Sequence, residues 1–160
     1  MAKEIERKFK VNGDFIGESH HAYQIAQGYL STDPARTVRV RIRDDEGFLT
    51  IKGARDATAM SCAEHEFPIP VDKAREILRL ALPTVIDKTR YLVTFGGHLW
   101  EVDQFHGANE GLIIAEIELE SEDEAFEKPL WLGEEVTGDP RYYNASLTSY
   151  PYSQWAEQQN

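Results

Sequence analysis

Charged and apolar residues alternate along almost every extended segment of this chain, and that period of two constrains its fold more than any other feature. Alternate residues of a strand share a face. Glu4, Glu6 and Lys8 therefore point one way while Ile5 and Phe9 point the other. Arg39, Arg41 and Arg43 oppose Val38, Val40 and Ile42, and Thr50 and Lys52 oppose Leu49 and Ile51. The same holds for Glu64 and Glu66 against His65 and Phe67, for Lys88 and Arg90 against Thr89 and Tyr91, and for Glu116, Glu118 and Glu120 against Ile117 and Leu119. The pattern predicts strands over 3–11, 23–30, 36–43, 48–53, 62–69, 86–95, 99–106 and 112–120.

Turn chemistry separates these segments. Asp44-Asp45-Glu46-Gly47 reads as a four-residue loop and Gly96-Gly97 as a two-residue hairpin turn. Helices are few. A segment over 72–82 takes Asp72 as its N-cap and stops at Pro83. Ser121 to Glu124 has capping-box spacing and predicts a short helix ending before Pro129. Asp139-Pro140 opens a third helix, through about Leu147. No repeat, low-complexity tract or linker interrupts the 160 residues, which predicts one domain over 1–160. Many strands with few helices predict a mainly β (α+β) protein, a closed barrel or a sandwich.

An ordinary two-faced sheet, apolar inward and charged toward water, accounts for any one of these strands. It accounts less well for all of them, because arginines and glutamates come in pairs on separate strands. The four-residue loop would set Arg43 opposite Phe48, Arg41 opposite Thr50 and Arg39 opposite Lys52, and like charges so placed repel unless an anion lies between. The glycine hairpin sets Arg90 opposite Asp103 and Leu92 opposite Glu101. If the charged faces turn inward, Lys8, Arg39, Arg41, Lys52, Lys88 and Arg90 share a lumen with Glu4, Glu6, Glu64, Glu66, Asp103, Glu116 and Glu118. Burying so many charges is costly unless they are paired or wet, so such an interior is a water-filled site.

A formal net charge of −11 argues against a nucleic-acid partner, because a phosphate polymer rewards basic surfaces. The basic residues nonetheless crowd at Arg36, Arg39, Arg41, Arg43 and Lys52, which suits a small, highly charged anion. No run approaches the roughly 18 apolar residues of a membrane span, and the first residues lack the apolar stretch of a secretory signal. Cys62 is the single cysteine, so no internal disulfide forms and a reducing, cytoplasmic setting is expected. It reads as a small half-buried filler rather than a nucleophile.

Converging arginine forks and lysine point charges suit adjacent phosphates. Carboxylates beside them would repel that ligand unless divalent cations intervene. Mg²⁺ or Mn²⁺ prefers oxygen donors, and the pairs Glu4 with Glu6 and Glu116 with Glu118 supply them. Such a set supports attack of in-line water on a terminal phosphoryl group. His20, His21, His65, His98 and His106 lack metal-ligand spacing, and neither GxxxxGK[ST] nor GxGxxG occurs.

Glu4-Ile5-Glu6-Arg7-Lys8 is an ExExK motif and resembles the signature of the CYTH superfamily, the triphosphate tunnel metalloenzymes. Five further segments match in order: Val38 to Arg41 with Leu49 to Gly53, Glu64-His65-Glu66, Lys88 to Tyr91, Glu116 to Leu119, and Glu135 to Thr137 with Arg141, Tyr142 and Asn144. The resemblance implies a closed eight-stranded antiparallel β-barrel tunnel with flanking helices, Mg²⁺- or Mn²⁺-dependent work on a small-molecule triphosphate, and room for a homodimer. It assigns Lys8, Arg39, Arg41, Lys52, Lys88 and Arg90 to substrate, and Glu4, Glu6, Glu116 and Glu118 to metal. Glu4, Glu6 and Lys8 become the catalytic group, one of the two glutamates orienting water, with Glu64, Glu66 and Asp103 in support. Tyr29 fits either a tunnel-facing or a core position.

One departure stands out. Short bacterial relatives often carry arginine two residues before the middle ExE, where this chain has Cys62. Within the superfamily the expected activity is hydrolysis of inorganic triphosphate. Class IV adenylate cyclase and thiamine triphosphatase are the alternatives, and a non-catalytic polyphosphate-binding module is a reading of another class.

Overall fold

Gly96 and Gly97 turn the longest hairpin, with φ of +59° and +80°, the left-handed pair that a tight turn of strand-matching twist requires. They join β6 (Leu82–Phe95) to β7 (His98–Phe105), and the predicted register follows, Arg90 facing Asp103 and Leu92 facing Glu101. The computed structural model describes residues 3–158. Its other strands are β1 (Lys3–Val11), β2 (His21–Ser31), β3 (Arg36–Arg43), β4 (Glu46–Gly53), β5 (Ser61–Ile69), β8 (Ile113–Glu118) and β9 (Leu132–Glu135). All pairings are antiparallel, in the order β5-β4-β3-β2-β6-β7-β8-β1-β9, and a β5–β1 pairing closes strands β1 to β8 into a barrel. Between the expected barrel and sandwich, the barrel is correct.

Closure is narrow. β1 gives one edge to β8 over Glu6 to Lys10, and divides the other. Lys3, Glu4 and Ile5 register with β5, whereas Phe9 and Val11 register with β9. The sequence pattern missed β9, whose four residues show no alternation.

Three other expectations are corrected. β3 and β4 join through two residues, Asp44 and Asp45, so Arg43 faces Glu46, Arg41 faces Phe48, Arg39 faces Thr50 and Lys52 faces Thr37. Asp44 takes φ of +53°, and its carboxylate accepts from the Gln24 N–H, which fixes the shorter turn. Helix α1 runs Val71–Leu78 with Pro70 at its N-cap, so Asp72 lies inside the first turn and Leu82 already begins β6. Ser121 to Glu124 forms a turn, not a helix: the Glu124 carboxylate accepts from the Glu120 N–H and from His98.

The segment opened by Asp139 is broken. Asp139 does accept the Arg141 N–H and caps a 3-10 turn, Pro140–Tyr142. Tyr143 is extended (φ −74°, ψ 133°), and α2 (Asn144–Ser149) starts afresh after it, followed by α3 (Tyr152–Gln158). Among the described residues no helix is long and apolar enough to cross a membrane.

Parity places the core outside the barrel wall. Outward residues Phe9, Val93, Trp100, Val102, Ala115 and Ile117 pack with Phe15, Leu119 and Trp131 from the connections. The end of α1 lies close against β2, where a Cβ on Gly28 would stand 3.0 Å from Leu78 Cδ1. At one end the inward parity turns apolar, and Ile86, Phe105 and Ile114 pack against Tyr142, Leu147 and Trp155. The C-terminal segment thereby stoppers that end.

Candidate active site in a charged tunnel

The remaining inward positions line a cavity of about 820 Å³. It brings together Glu4, Glu6, Lys8, Arg39, Arg41, Lys52, Glu64, Glu66, Lys88, Arg90, Glu116 and Glu118 from six strands. Asp103 stands just behind this lining, fully buried and bonded to Lys88 and Arg90. Tyr29 also faces the cavity, resolving its two readings.

Strand order separates the charges. β3, β2 and β6 are neighbours and carry Arg39, Arg41, Lys88 and Arg90; β7, β8, β1 and β5 are neighbours and carry most of the carboxylates. On the basic arc, Arg90 donates through Nε to Asp103 Oδ1 at 2.7 Å and through Nη2 to Oδ2 at 2.9 Å, while Nη1 reaches Glu101 at 3.2 Å. Lys88 Nζ lies 2.7 Å from Asp103 Oδ2 and donates to Asn144 Oδ1 at 3.0 Å. The Asn144 oxygen also accepts from Gln27 Nε2, and Gln27 Oε1 accepts from Arg41 Nε, both at 2.9 Å. Arg41 is within salt-bridge distance of no carboxylate among the described residues. Among the described residues the buried Arg39 Nε has no hydrogen-bond partner.

Positive charge is therefore in surplus. Burial, with Arg39 and Arg90 beside it, pulls Arg41 down to about 9. Burial likewise pulls Lys88 down to about 7, Asp103 opposing and Arg90 and Arg41 assisting. Burial works against Asp103 ionising, but Arg90 and Lys88 outweigh it and hold its carboxyl near about 2. Several like charges kept beside one carboxylate suit an anionic ligand.

The acidic arc is the counterpart. Lys8 Nζ lies 2.7 Å from Glu116 and 3.7 Å from Glu6, and Lys52 Nζ lies 2.7 Å from Glu4 and 3.4 Å from Glu64. Burial opposes ionisation of Glu6, yet Lys8 and Lys52 hold it near about 2. Glu118 faces Glu6 across β1 and β8 and pairs with no cation among the described residues. Burial and then Glu4, Glu101, Glu64 and Glu6 push its carboxyl up.

Glu118 provides the test of fit for a divalent ion. Its oxygen-rich surroundings, short of positive charge, match what Mg²⁺ or Mn²⁺ seeks. No three acidic, histidine or cysteine side chains among the described residues form a ready-made cluster, because Lys52 and Lys8 hold Glu4 and Glu116. The set fits a cation that arrives with phosphates able to draw those lysines away.

Sequence reading missed Gln27, Arg55, Glu101 and Asn144. Gln27 shares Tyr29's parity and Glu101 shares Asp103's, so period two contained both. Arg55 and Asn144 enter from a loop and a helix start, where no strand period applies. The five histidines stay out of the cavity lining, three of them bonded elsewhere: His20 to Thr94, His98 to Glu124 and His106 to Thr89.

The barrel is thus closed, stoppered at one end and lined by opposite charges on its two sides. The chain belongs to the CYTH domain family, which matches residues 2–147. It is 49% identical over 158 residues to the inorganic triphosphatase of Acetivibrio thermocellus, covering 98% of this chain and 100% of that one. It is 38% identical over 149 residues to the inorganic triphosphatase of Nitrosomonas europaea, covering 90% and 95%. A crystal structure of an inorganic triphosphatase superposes with a TM-score of 0.66 at 39% identity, over 91% of this chain and 97% of the other.

Proposed function

We propose that this protein hydrolyses inorganic triphosphate to pyrophosphate and phosphate inside the tunnel. The observation that carries the reading is the bipolar lumen, above all Arg41, half-buried beside Arg39 and Arg90 with an amide for its partner. An anion of several adjacent phosphates satisfies that arc. Two inorganic triphosphatases of nearly the same length, at 49% and 38% identity, support the substrate.

Arg39, Arg41, Lys52, Lys88 and Arg90 bind phosphate oxygens and orient the chain of phosphates along the barrel. Lys8 neutralises charge where the terminal phosphoryl group is attacked. One of Glu4 and Glu6 orients the water and receives its proton as the P–O bond to the leaving pyrophosphate breaks. Glu4, Glu6, Glu116 and Glu118 would hold Mg²⁺ or Mn²⁺, which when bound screens the phosphates and acidifies water. Glu64, Glu66 and Asp103 keep the cations aimed, Asp103 by accepting two hydrogen bonds from Arg90.

Phosphate release from tripolyphosphate, ATP and thiamine triphosphate, each with Mg²⁺ and with Mn²⁺, tests the reading. Tripolyphosphate should be turned over fastest, and Glu4→Gln should lose at least about a hundredfold while melting as a folded protein. Cyclic AMP formed from ATP and Mn²⁺ in place of phosphate would sink it.

A further inference from the structure

Arg55 belongs to no strand. It lies in the connection from β4 to β5, yet its side chain enters the tunnel, with Nη2 3.2 Å from Glu6 Oε1 and Cζ 5.0 Å from the centre of the Tyr143 ring. Tyr143 also lines the cavity, so both partners belong to the site. Among the described residues the guanidinium makes one hydrogen bond, leaving four of the five N–H groups an arginine carries.

The neighbouring wall explains the intrusion. Cys62 faces the cavity opposite Glu4 in the β1–β5 register, its Sγ 4.0 Å from Glu4 Oε1. A thiol carries no positive charge in either protonation state, so the sulfur supplies no cation there. Lys52 and Arg55 are then the cations beside Glu4 and Glu6 at the line where β1 meets β5. Glu6 is already served by Lys8, so a second partner is in excess as soon as Glu6 turns to a divalent cation. The guanidinium, steadied on the Tyr143 ring, must then find another anion.

We infer that Arg55 is a substrate-binding residue: it contacts phosphate oxygens beside the β1–β5 junction and supplies from a loop the cation that Cys62 does not. The inference rests on the triphosphatase reading, and the experiment separates the two. Steady-state hydrolysis of tripolyphosphate with saturating Mg²⁺ is compared for wild type, Arg55→Ala, Arg55→Gln and the double variant Arg55→Ala/Cys62→Arg, each checked for an unchanged melting profile. Arg55→Ala should raise KM about tenfold or more with kcat held within about threefold, and the double variant should recover most of the loss. Arg55→Gln serves if the alanine variant does not fold.

A calorimetric titration of tripolyphosphate with Mg²⁺ is run in parallel in the Glu4→Gln background, with and without Arg55→Ala, and should show the same weakening. KM within twofold of wild type overturns the inference. So does a loss confined to kcat, which would mean that Arg55 merely steadies Glu6. If wild type shows no turnover while the titration still weakens about tenfold, Arg55 stands as an anion contact and the triphosphatase reading falls.

Discussion

Asp103 holds Arg90 with both carboxylate oxygens, at 2.7 Å to Nε and 2.9 Å to Nη2, and the second oxygen also takes Lys88 at 2.7 Å. All three side chains are buried. Removing the shared anion leaves two cations facing each other away from water. Asp103→Ala should cost about 3–5 kcal/mol of stability, read as a fall in melting temperature. Excess tripolyphosphate should restore part of it, because a ligand that binds the native state alone stabilises that state.

Lys88 gives a pH signature. Its folded value of about 7 lies below the ordinary 10.5, so between those values the unfolded chain binds more protons. Stability from this group is full above about 10.5 and lost as pH falls through about 7. Wild type should therefore gain on Lys88→Met as pH rises across that window, in melts at matched ionic strength. Conversely, a bound triphosphate favours the ammonium form. At pH 8 its binding should take protons from solution in wild type more than in Lys88→Met, as titration in two buffers of different ionisation heat would show.

Asn144 is a neutral acceptor between Lys88 and Gln27, and Gln27 in turn holds Arg41. Asn144→Asp adds a carboxylate where the surplus of positive charge serves the phosphates. KM for tripolyphosphate should rise about tenfold, at a cost of roughly 1–2 kcal/mol in binding, with the fold kept. Asn144→Ala should instead loosen Lys88 and Gln27 and lower kcat and melting temperature together.

EDTA should silence hydrolysis, and Mg²⁺ or Mn²⁺ should restore it. Glu118→Gln should demand a higher metal concentration for half-maximal rate, since it removes the tunnel acid that pairs with no cation among the described residues. A metal dependence unchanged in Glu118→Gln would remove Glu118 from the cation site.

Period two revealed the strands and their inward residues because the barrel is polar inside and covered by apolar side chains outside. Even the misplaced β3–β4 register did no harm to that inference. A slip of two residues leaves Arg39, Arg41 and Lys52 on their original face, whereas a slip of one would have reversed them. Local chemistry misled where a side chain serves a distant partner. The Glu124 carboxylate was expected to cap a helix at Ser121, but His98, at the start of β7, claims one of its oxygens at 2.6 Å. Arg55 and Asn144 were invisible as site residues because nothing local records which way a loop side chain turns.

The divided outer edge of β1 has a mechanical meaning. Three residues of β1 close the hoop against β5, and Glu4, one of the proposed cation ligands, is among them. Polyphosphate gripped by Lys52 from β4, with its counter-ion gripped by Glu6 from β1, would rivet the stave on each side of that joint. Loading the tunnel and tightening its staves then become one act, and amide exchange at Glu4 and Ile5 should slow first.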